Sequence, residues 1–190
     1  MGVEFELKFL AEESVFEELK KESDCWVTYD MATTYYDTPD GQCSQRYWTL
    51  RRRFENGLSV CTLKTPAGNQ GRNEFETACD DIQTALPILC ANGAPAELLE
   101  LTANGIVEVC GAKFRRLAGR VDLNGTVVEL ALDKGVLTGG KELPFVEVEV
   151  ELKSGDPDTA VAYAKALAHQ FHLRPERKSK YKRALDLSRA

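Results

Sequence analysis

The sequence predicts an α+β protein: an eight-stranded antiparallel β-barrel with a charged interior and flanking helices. Charged residues alternate with apolar ones along two stretches, at Glu4, Glu6 and Lys8 and at Glu147, Glu149 and Glu151. Successive side chains of a strand point to opposite faces, so each stretch has one apolar face and one ionised face. About eight such segments, mostly joined by hairpins, favour closure into a barrel, because closure removes exposed strand edges.

The direction of the charged faces distinguishes two arrangements. With apolar faces turned inward, Glu147, Glu149 and Glu151 would form an exposed acidic ladder with no function. With charged faces turned inward, acids and bases converge, and helices cover the apolar exterior. Charges are buried only where they pair or bind ligands. We therefore expect an enclosed ionic tunnel.

The first half of the chain alternates strands with turn signals. Residues 3–9 form the first strand, and residues 11–22 have apolar residues at helical spacing. Residues 33–37 are β-branched and aromatic, and residues 38–41 read as a turn. Residues 48–54 and 58–64 form a hairpin through Asn56-Gly57, a dipeptide that favours tight turns. A loop at residues 66–71 leads to a strand at residues 73–79.

The second half predicts short helices at residues 82–89 and 95–101, followed by strands at residues 107–117 and 120–123. Asn124-Gly125 is a second hairpin signal, leading into residues 126–133. After the Gly139-Gly140 turn comes the glutamate strand at residues 146–152. Asp156 and Pro157 mark a helix start, since an aspartate caps and a proline suits the first turn. Helices follow at residues 161–171 and 179–187.

Composition narrows the class of protein. At 190 residues the chain is expected to form one domain, residues 1–190. Its net charge of −6 argues against a duplex nucleic-acid partner, which requires a basic surface. No apolar run reaches membrane-spanning length, and the N-terminus has no signal segment, so the expectation is a cytoplasmic protein without a membrane partner. The oligomeric state stays open.

The six cysteines offer no metal-binding spacing. None forms a C-x-x-C pair, and both histidines, His169 and His172, are distant in sequence. A zinc site and Cys–His catalysis are therefore not expected, and most cysteines are expected to fill small apolar spaces.

The charged faces instead suit a metal-chelated polyphosphate. Carboxylates are hard oxygen ligands of the kind that Mg²⁺ and Mn²⁺ prefer. Guanidinium groups match phosphoryl oxygens bidentately. The sequence sorts glutamates onto some strands and arginines onto others, which favours such a site over a solvated face.

Seven motifs in order resemble the CYTH superfamily, the triphosphate tunnel metalloenzymes. They are Glu4-x-Glu6-x-Lys8, Tyr35 to Pro39, Leu50-Arg51-x-Arg53, Lys64, Arg72-x-Glu74-x-Glu76, Glu129 to Gly135 and Glu147-x-Glu149-x-Glu151. The resemblance runs from residue 3 to about residue 184. It implies an eight-stranded tunnel, and the segments 131–135 and 149–155 are most similar to those of bacterial inorganic triphosphatases.

The resemblance also implies roles for individual residues. The metal ligands, for Mg²⁺ or Mn²⁺ and for two ions, would be Glu4, Glu6, Asp133, Glu149 and Glu151. The triphosphate-binding residues would be Lys8, Arg51, Arg53, Lys64, Arg72, Glu74, Glu76, Arg115 and Lys180. The residues central to catalysis would be Glu4, Glu6, Lys8, Arg53, Glu149 and Glu151. Glu129 and Glu147 would complete the lining.

The implied activity is hydrolysis of inorganic triphosphate by in-line attack of water. A class IV adenylate cyclase, or a nucleoside or thiamine triphosphatase, is the alternative within the superfamily, and Trp48 or Tyr36 would then be candidates to stack an organic ring. A non-catalytic polyphosphate-binding module is the third possibility. The intact glutamate pairs favour catalysis.

Overall fold

The computed structural model describes residues 2–68 and 71–188, with side chains from Phe5 onward. The strands are β1 (Gly2–Glu4), β2 (Glu6–Leu10), β3 (Trp26–Asp37), β4 (Thr49–Glu55), β5 (Leu58–Pro66), β6 (Arg72–Ala78), β7 (Val107–Leu123), β8 (Thr126–Thr138), β9 (Glu142–Ser154) and β10 (Arg174–Pro175). The helices are α1 (Phe16–Leu19), α2 (Gln42–Gln45), α3 (Ile82–Ala91), α4 (Glu97–Thr102), α5 (Pro157–Gln170) and α6 (Lys180–Ser188). Short 3₁₀ turns flank α1.

The strands form one antiparallel sheet in the order β1-β6-β5-β4-β3-β7-β8-β9-β2-β10. β1 and β2 are consecutive in sequence, separated only by Phe5, yet β1 pairs with β6 and β2 pairs with β9. One extended segment therefore contacts both ends of the sheet, which requires the sheet to curl. The described ladders do not join the two edge strands to each other, so the closed barrel is not confirmed.

Two hairpins form as the Asn-Gly dipeptides predict. Asn56 and Asn124 have φ of 48° and 57°, and the glycine after each also has positive φ. Positive φ at both central positions is the signature of the type I′ turn, whose twist matches that of the strands. The second turn fixes Leu123 opposite Thr126 and so sets the register along β7 and β8. β7 is one long strand, not the two predicted.

Apolar residues cover the outer face of the sheet, as the inward-charge arrangement predicts. One cluster packs residues such as Phe9, Leu130 and Val148 against Leu167 of α5. A second packs β4, β5 and β6 against α3 and α4, with Cys43 and Cys61 filling small spaces. The apolar exterior leaves the charged side chains for the concave face.

The last helix occupies one end of the curled sheet. Tyr181, Ala184 and Leu185 of α6 pack against a third apolar cluster that includes Tyr35 and Phe145. Tyr35 and Tyr181 have ring centroids 5.1 Å apart. This packing carries the first turn of α6 to the wall of the concave face. No helix among the described residues is long and apolar enough to span a membrane.

Candidate active site

The concave face of the sheet encloses a cavity of about 330 Å³ with a predominantly charged wall. Its cations are Lys8, Arg51, Arg53, Lys64, Arg72, Arg116, Lys153 and Lys180. Its carboxylates are Glu6, Glu55, Glu74, Glu76, Glu129, Glu149 and Glu151. The described part of the wall contains neither histidine nor cysteine, so the chemistry available here belongs to carboxylates and cations.

Cations dominate the wall formed by β4, β5 and β6. Arg51 Nη2 and Lys64 Nζ lie 3.3 Å and 3.2 Å from the same oxygen of Glu74. One oxygen of Glu74 thus faces two cations. Among the described residues, β4, β5 and β6 bring four cations and three carboxylates to the cavity, a balance that suits an anion. Such a wall favours bidentate recognition of phosphoryl groups by its arginines.

Two buried guanidinium donors support anion binding on this wall. The Nε of Arg51 has no hydrogen-bond partner among the described residues. The Nε of Arg53 lies 2.7 Å from Glu55 Oε2, but the pair does not meet hydrogen-bond geometry. Burial and the neighbouring charge of Arg51 lower the pKa of Arg53. A bound anion would supply acceptors to both donors and relieve the repulsion between the two guanidiniums.

Carboxylates form a row across β2, β9 and β8. Glu6 pairs in register with Glu151, and Glu151 pairs with Glu129. Side chains in register on adjacent strands have Cβ atoms about 5 Å apart, close enough for two carboxylates to share an ion. All three line the cavity and are partly exposed. Lys8 lies 3.2 Å from Glu6, and Lys153 lies 2.8 Å from Glu151.

The donor set of this row fits a divalent metal. Three carboxylates with two lysines beside them keep a net negative charge, and their oxygens are hard ligands reachable from the cavity. In the order of the sheet, this row lies several strands away from the cationic wall. A curled sheet therefore brings metal-binding and anion-binding surfaces to opposite sides of one cavity.

Three further acidic residues, which are buried, form ion pairs with a lysine and two arginines. Lys180 Nζ lies 2.8 Å from Asp133 Oδ2, 2.6 Å from Glu147 Oε2 and 2.8 Å from Glu149 Oε1. Arg116 donates two bonds of 2.7 Å to Asp133 and a further one to Glu149. Arg183 pairs with Glu147. We call these six residues the hub.

The hub shifts the pKa values of its members. Burial by itself lowers the pKa of Lys180, but Asp133, Glu149 and Glu147 outweigh it and hold that pKa above its ordinary value. Burial would raise the pKa of Glu149, yet Lys180, Arg116 and Lys8 keep it well below the usual range. At Glu147, burial and the charge of Glu149 outweigh the attraction of Lys180 and Arg183, and the pKa is raised. Lys180 and Glu149 are therefore fully ionised at neutral pH.

The structure brings most sequence-predicted site residues to the cavity wall. These are Glu6, Lys8, Arg51, Arg53, Lys64, Arg72, Glu74, Glu76, Glu149, Glu151 and Lys180. The side chain of Glu4 lies outside the described residues. Asp133 is fully buried behind the wall, held by Arg116 and Lys180. Trp48 and Tyr36 are buried in the outer cluster with α3, away from the cavity.

The placement of Arg115 in the cavity is wrong. Its side chain is 66% exposed and pairs with Asp30 at 2.8 Å on the outer face. The cavity cation is its neighbour Arg116, which sequence reasoning missed because both residues lie in one strand with apolar residues on both faces. The Asn124-Gly125 turn could have identified Arg116, because the register that this turn sets pairs Arg116 with Asp133. Lys153 was also missed.

Comparison with known proteins identifies the family. The model of the CYTH domain matches residues 2–185. The chain belongs to the CYTH domain family. An inorganic triphosphatase of Haemophilus influenzae is 27% identical over 158 residues, which cover 80% of this chain and 44% of the relative. The chain thus spans less than half the length of that relative.

Solved structures share this CYTH fold. PH1819 from Pyrococcus horikoshii is 22% identical with a TM-score of 0.66, covering 96% of this chain and 98% of its own. HpAC1 from Hippeastrum, described as a candidate adenylyl cyclase with a dominant triphosphatase activity, is 19% identical with a TM-score of 0.65, covering 100% and 95%. A candidate adenylate cyclase from Bacillus halodurans is 15% identical with a TM-score of 0.61, covering 93% and 94%.

Proposed function

We propose that this CYTH protein hydrolyses inorganic triphosphate to pyrophosphate and phosphate with a divalent metal, Mg²⁺ or Mn²⁺. The observation that carries the proposal is the presence, within one cavity, of an acidic row and of a cationic wall in which the Nε atoms of Arg51 and Arg53 have no hydrogen-bond partner among the described residues. The Haemophilus relative supports the substrate, since it is an inorganic triphosphatase. The curled sheet would act as the tunnel that encloses the phosphate chain.

The acidic row would hold the metal. Glu6, Glu151 and Glu129 are the ligands that the described geometry favours. The sequence resemblance adds Glu4, Glu149 and Asp133, of which Asp133 is buried behind the wall, and implies two ions. A metal bound there would supply Lewis-acid polarisation of the phosphoryl oxygens and activation of water. Lys8 and Lys153 would limit the negative charge of the row.

The cationic wall would hold the phosphate chain. Arg51, Arg53 and Lys64 would bind its oxygens, and Arg116 would approach it from β7. These groups are fixed before the substrate arrives, so they stabilise charge on the transferring phosphoryl and on the leaving group without reorganisation. The chain's own residues thus orient the terminal phosphorus for in-line attack by water.

The alternatives predict different products. A nucleoside or thiamine triphosphatase needs a surface for the organic group, and neither Trp48 nor Tyr36 provides one, because both are buried elsewhere. A class IV adenylate cyclase would release pyrophosphate and a cyclic nucleotide from ATP. A polyphosphate-binding module would bind triphosphate without turnover.

Initial rates of phosphate release test the proposal. The purified chain is assayed with triphosphate, ATP, thiamine triphosphate and pyrophosphate, each with Mg²⁺ and with Mn²⁺. Triphosphate should give the highest kcat/KM, and pyrophosphate should be poor because it cannot span the cavity. Binding of triphosphate without turnover in either metal would refute hydrolysis and favour the binding module.

A further inference from the structure

The three acids of the hub have the spacing of a metal site. One carboxylate oxygen from each of Asp133, Glu147 and Glu149 lies within 4.8 Å of the others, and all three residues are buried. A divalent cation commonly occupies such a group of oxygens. The spacing alone therefore does not distinguish a metal site from an internal ion-pair cluster.

The position of Lys180 distinguishes a metal site from an ion-pair cluster. Its ammonium lies 2.6–2.8 Å from an oxygen of each acid. It donates a hydrogen bond to Glu149 Oε1 and forms ion pairs with Asp133 and Glu147, so its positive charge lies among the three acids. The place that a metal would take among these oxygens is thus filled by a side chain of α6.

The charge balance supports the same conclusion. Arg116 holds Asp133 and Glu149 from the side of β7, and Arg183 holds Glu147 from α6. Three carboxylates face three cations, so the hub is neutral. A divalent ion added to a neutral buried group would gain little attraction to offset its own dehydration. The acidic row, in contrast, keeps a net negative charge and opens to the cavity.

We infer that Asp133 and Glu147 are positioning residues that fix Lys180 and Arg116 at the cavity wall, and that they are not ligands of the catalytic metal. Asp133 accepts two hydrogen bonds from Arg116, which fix the plane of the guanidinium. Arg116 reaches the cavity, whereas Asp133 and Glu147 do not line it. The role in substrate binding rests on the proposed function.

Isosteric variants separate positioning from metal binding. D133N and E147Q remove one charge each and keep the side-chain size, and E151Q is the matched control in the acidic row. Mn²⁺ affinity is measured by electron paramagnetic resonance without substrate, and kcat and KM are measured for triphosphate. For D133N and E147Q we expect Mn²⁺ affinity within about twofold of the wild type and KM raised on the order of tenfold, more than kcat changes. E151Q should instead lose Mn²⁺ affinity.

A loss of Mn²⁺ affinity in D133N or E147Q as large as that of E151Q would overturn the inference. So would unchanged KM in both folded variants, because positioning would then have no effect. A thermal-unfolding cycle of D133N, K180M and the double variant D133N/K180M covers the case of weak folding or absent turnover. Coupling requires the double variant to lose less stability than the sum of the single losses; additive losses would refute the hub. Failure of wild-type turnover would refute only the proposed function.

Discussion

Replacing Lys180 with methionine tests the energetics of the hub. The change removes the ammonium but keeps an unbranched apolar side chain of comparable length. Asp133 and Glu147 are fully buried and Glu149 nearly so, and the Lys180 side chain is only 9% exposed. Solvent therefore screens the pairs little. Leaving a buried charge without its partner costs about 3–5 kcal/mol.

A loss of this size in the free energy of unfolding is measurable as a shift in Tm. In a domain of this size, 1 kcal/mol shifts Tm by about 2–4 °C, so K180M should unfold about 6–20 °C below the wild type. The control is K182M on the same helix, whose half-exposed pair with Asp186 contributes about 0.3–0.5 kcal/mol. K182M should lose no more than about 2 °C. Differential scanning calorimetry without divalent metal measures both.

The dependence on pH gives a second, independent result. Because the pKa of Lys180 is raised in the folded protein, its contribution is complete below the ordinary lysine pKa of about 10.4 and is lost only as pH rises through the folded value. The deficit of K180M should thus be equal at pH 7 and pH 9. It should shrink as the pH falls further, beginning above the ordinary carboxyl pKa of about 4, because burial raises the pKa of the carboxylates left unpaired in the variant. An equal loss in K182M, or a deficit that grows in acid, would refute the reasoning.

Three further predictions concern the cavity. E151Q should lower turnover of triphosphate at least about a hundredfold, because several kcal/mol of metal stabilisation are lost. E12Q, at an exposed residue just before the first 3₁₀ turn, should match the wild type in the same rate assay. R53A should lower kcat/KM about tenfold to a hundredfold, because charged hydrogen bonds to the substrate are lost. R115A, on the outer face, should leave kcat/KM unchanged. Equal effects of the two substitutions would contradict the placement of the two arginines. Excess chelator should abolish turnover and leave the circular-dichroism spectrum unchanged, since packing of apolar side chains joins the sheet to its helices. Full turnover in chelator would contradict a metal requirement.

The sequence predicts the fold well where local chemistry decides it. The Asn-Gly turns take the expected positive φ values, and Asp156 caps α5 by accepting a hydrogen bond from Thr159 N. Alternation of charge and apolar residues correctly places the charges on the concave face. These signals act over a few residues, so a single sequence is sufficient to read them.

Features that depend on contacts between residues far apart in the chain could not be predicted from the sequence. Helix α2 has no periodic signal; Asp37 organises it by accepting from the backbone N–H groups of Cys43 and Ser44. Arg115 points to the outer face of the sheet and Arg116 to the cavity, and the register of β7 with β8 determines which of the two faces inward. The pairing of Lys180 with Asp133 joins residues far apart in sequence, which no local pattern encodes.

The central claim is metal-dependent hydrolysis of inorganic triphosphate. One competition measurement tests it most directly: equimolar triphosphate and ATP are incubated with the chain and Mg²⁺ in one tube, and the products are followed by ³¹P NMR. We predict that triphosphate disappears first, with kcat/KM on the order of tenfold higher, and yields pyrophosphate and phosphate in equal amounts. Consumption of ATP at an equal or faster rate, a cyclic nucleotide as the main product, or no reaction of triphosphate would contradict it.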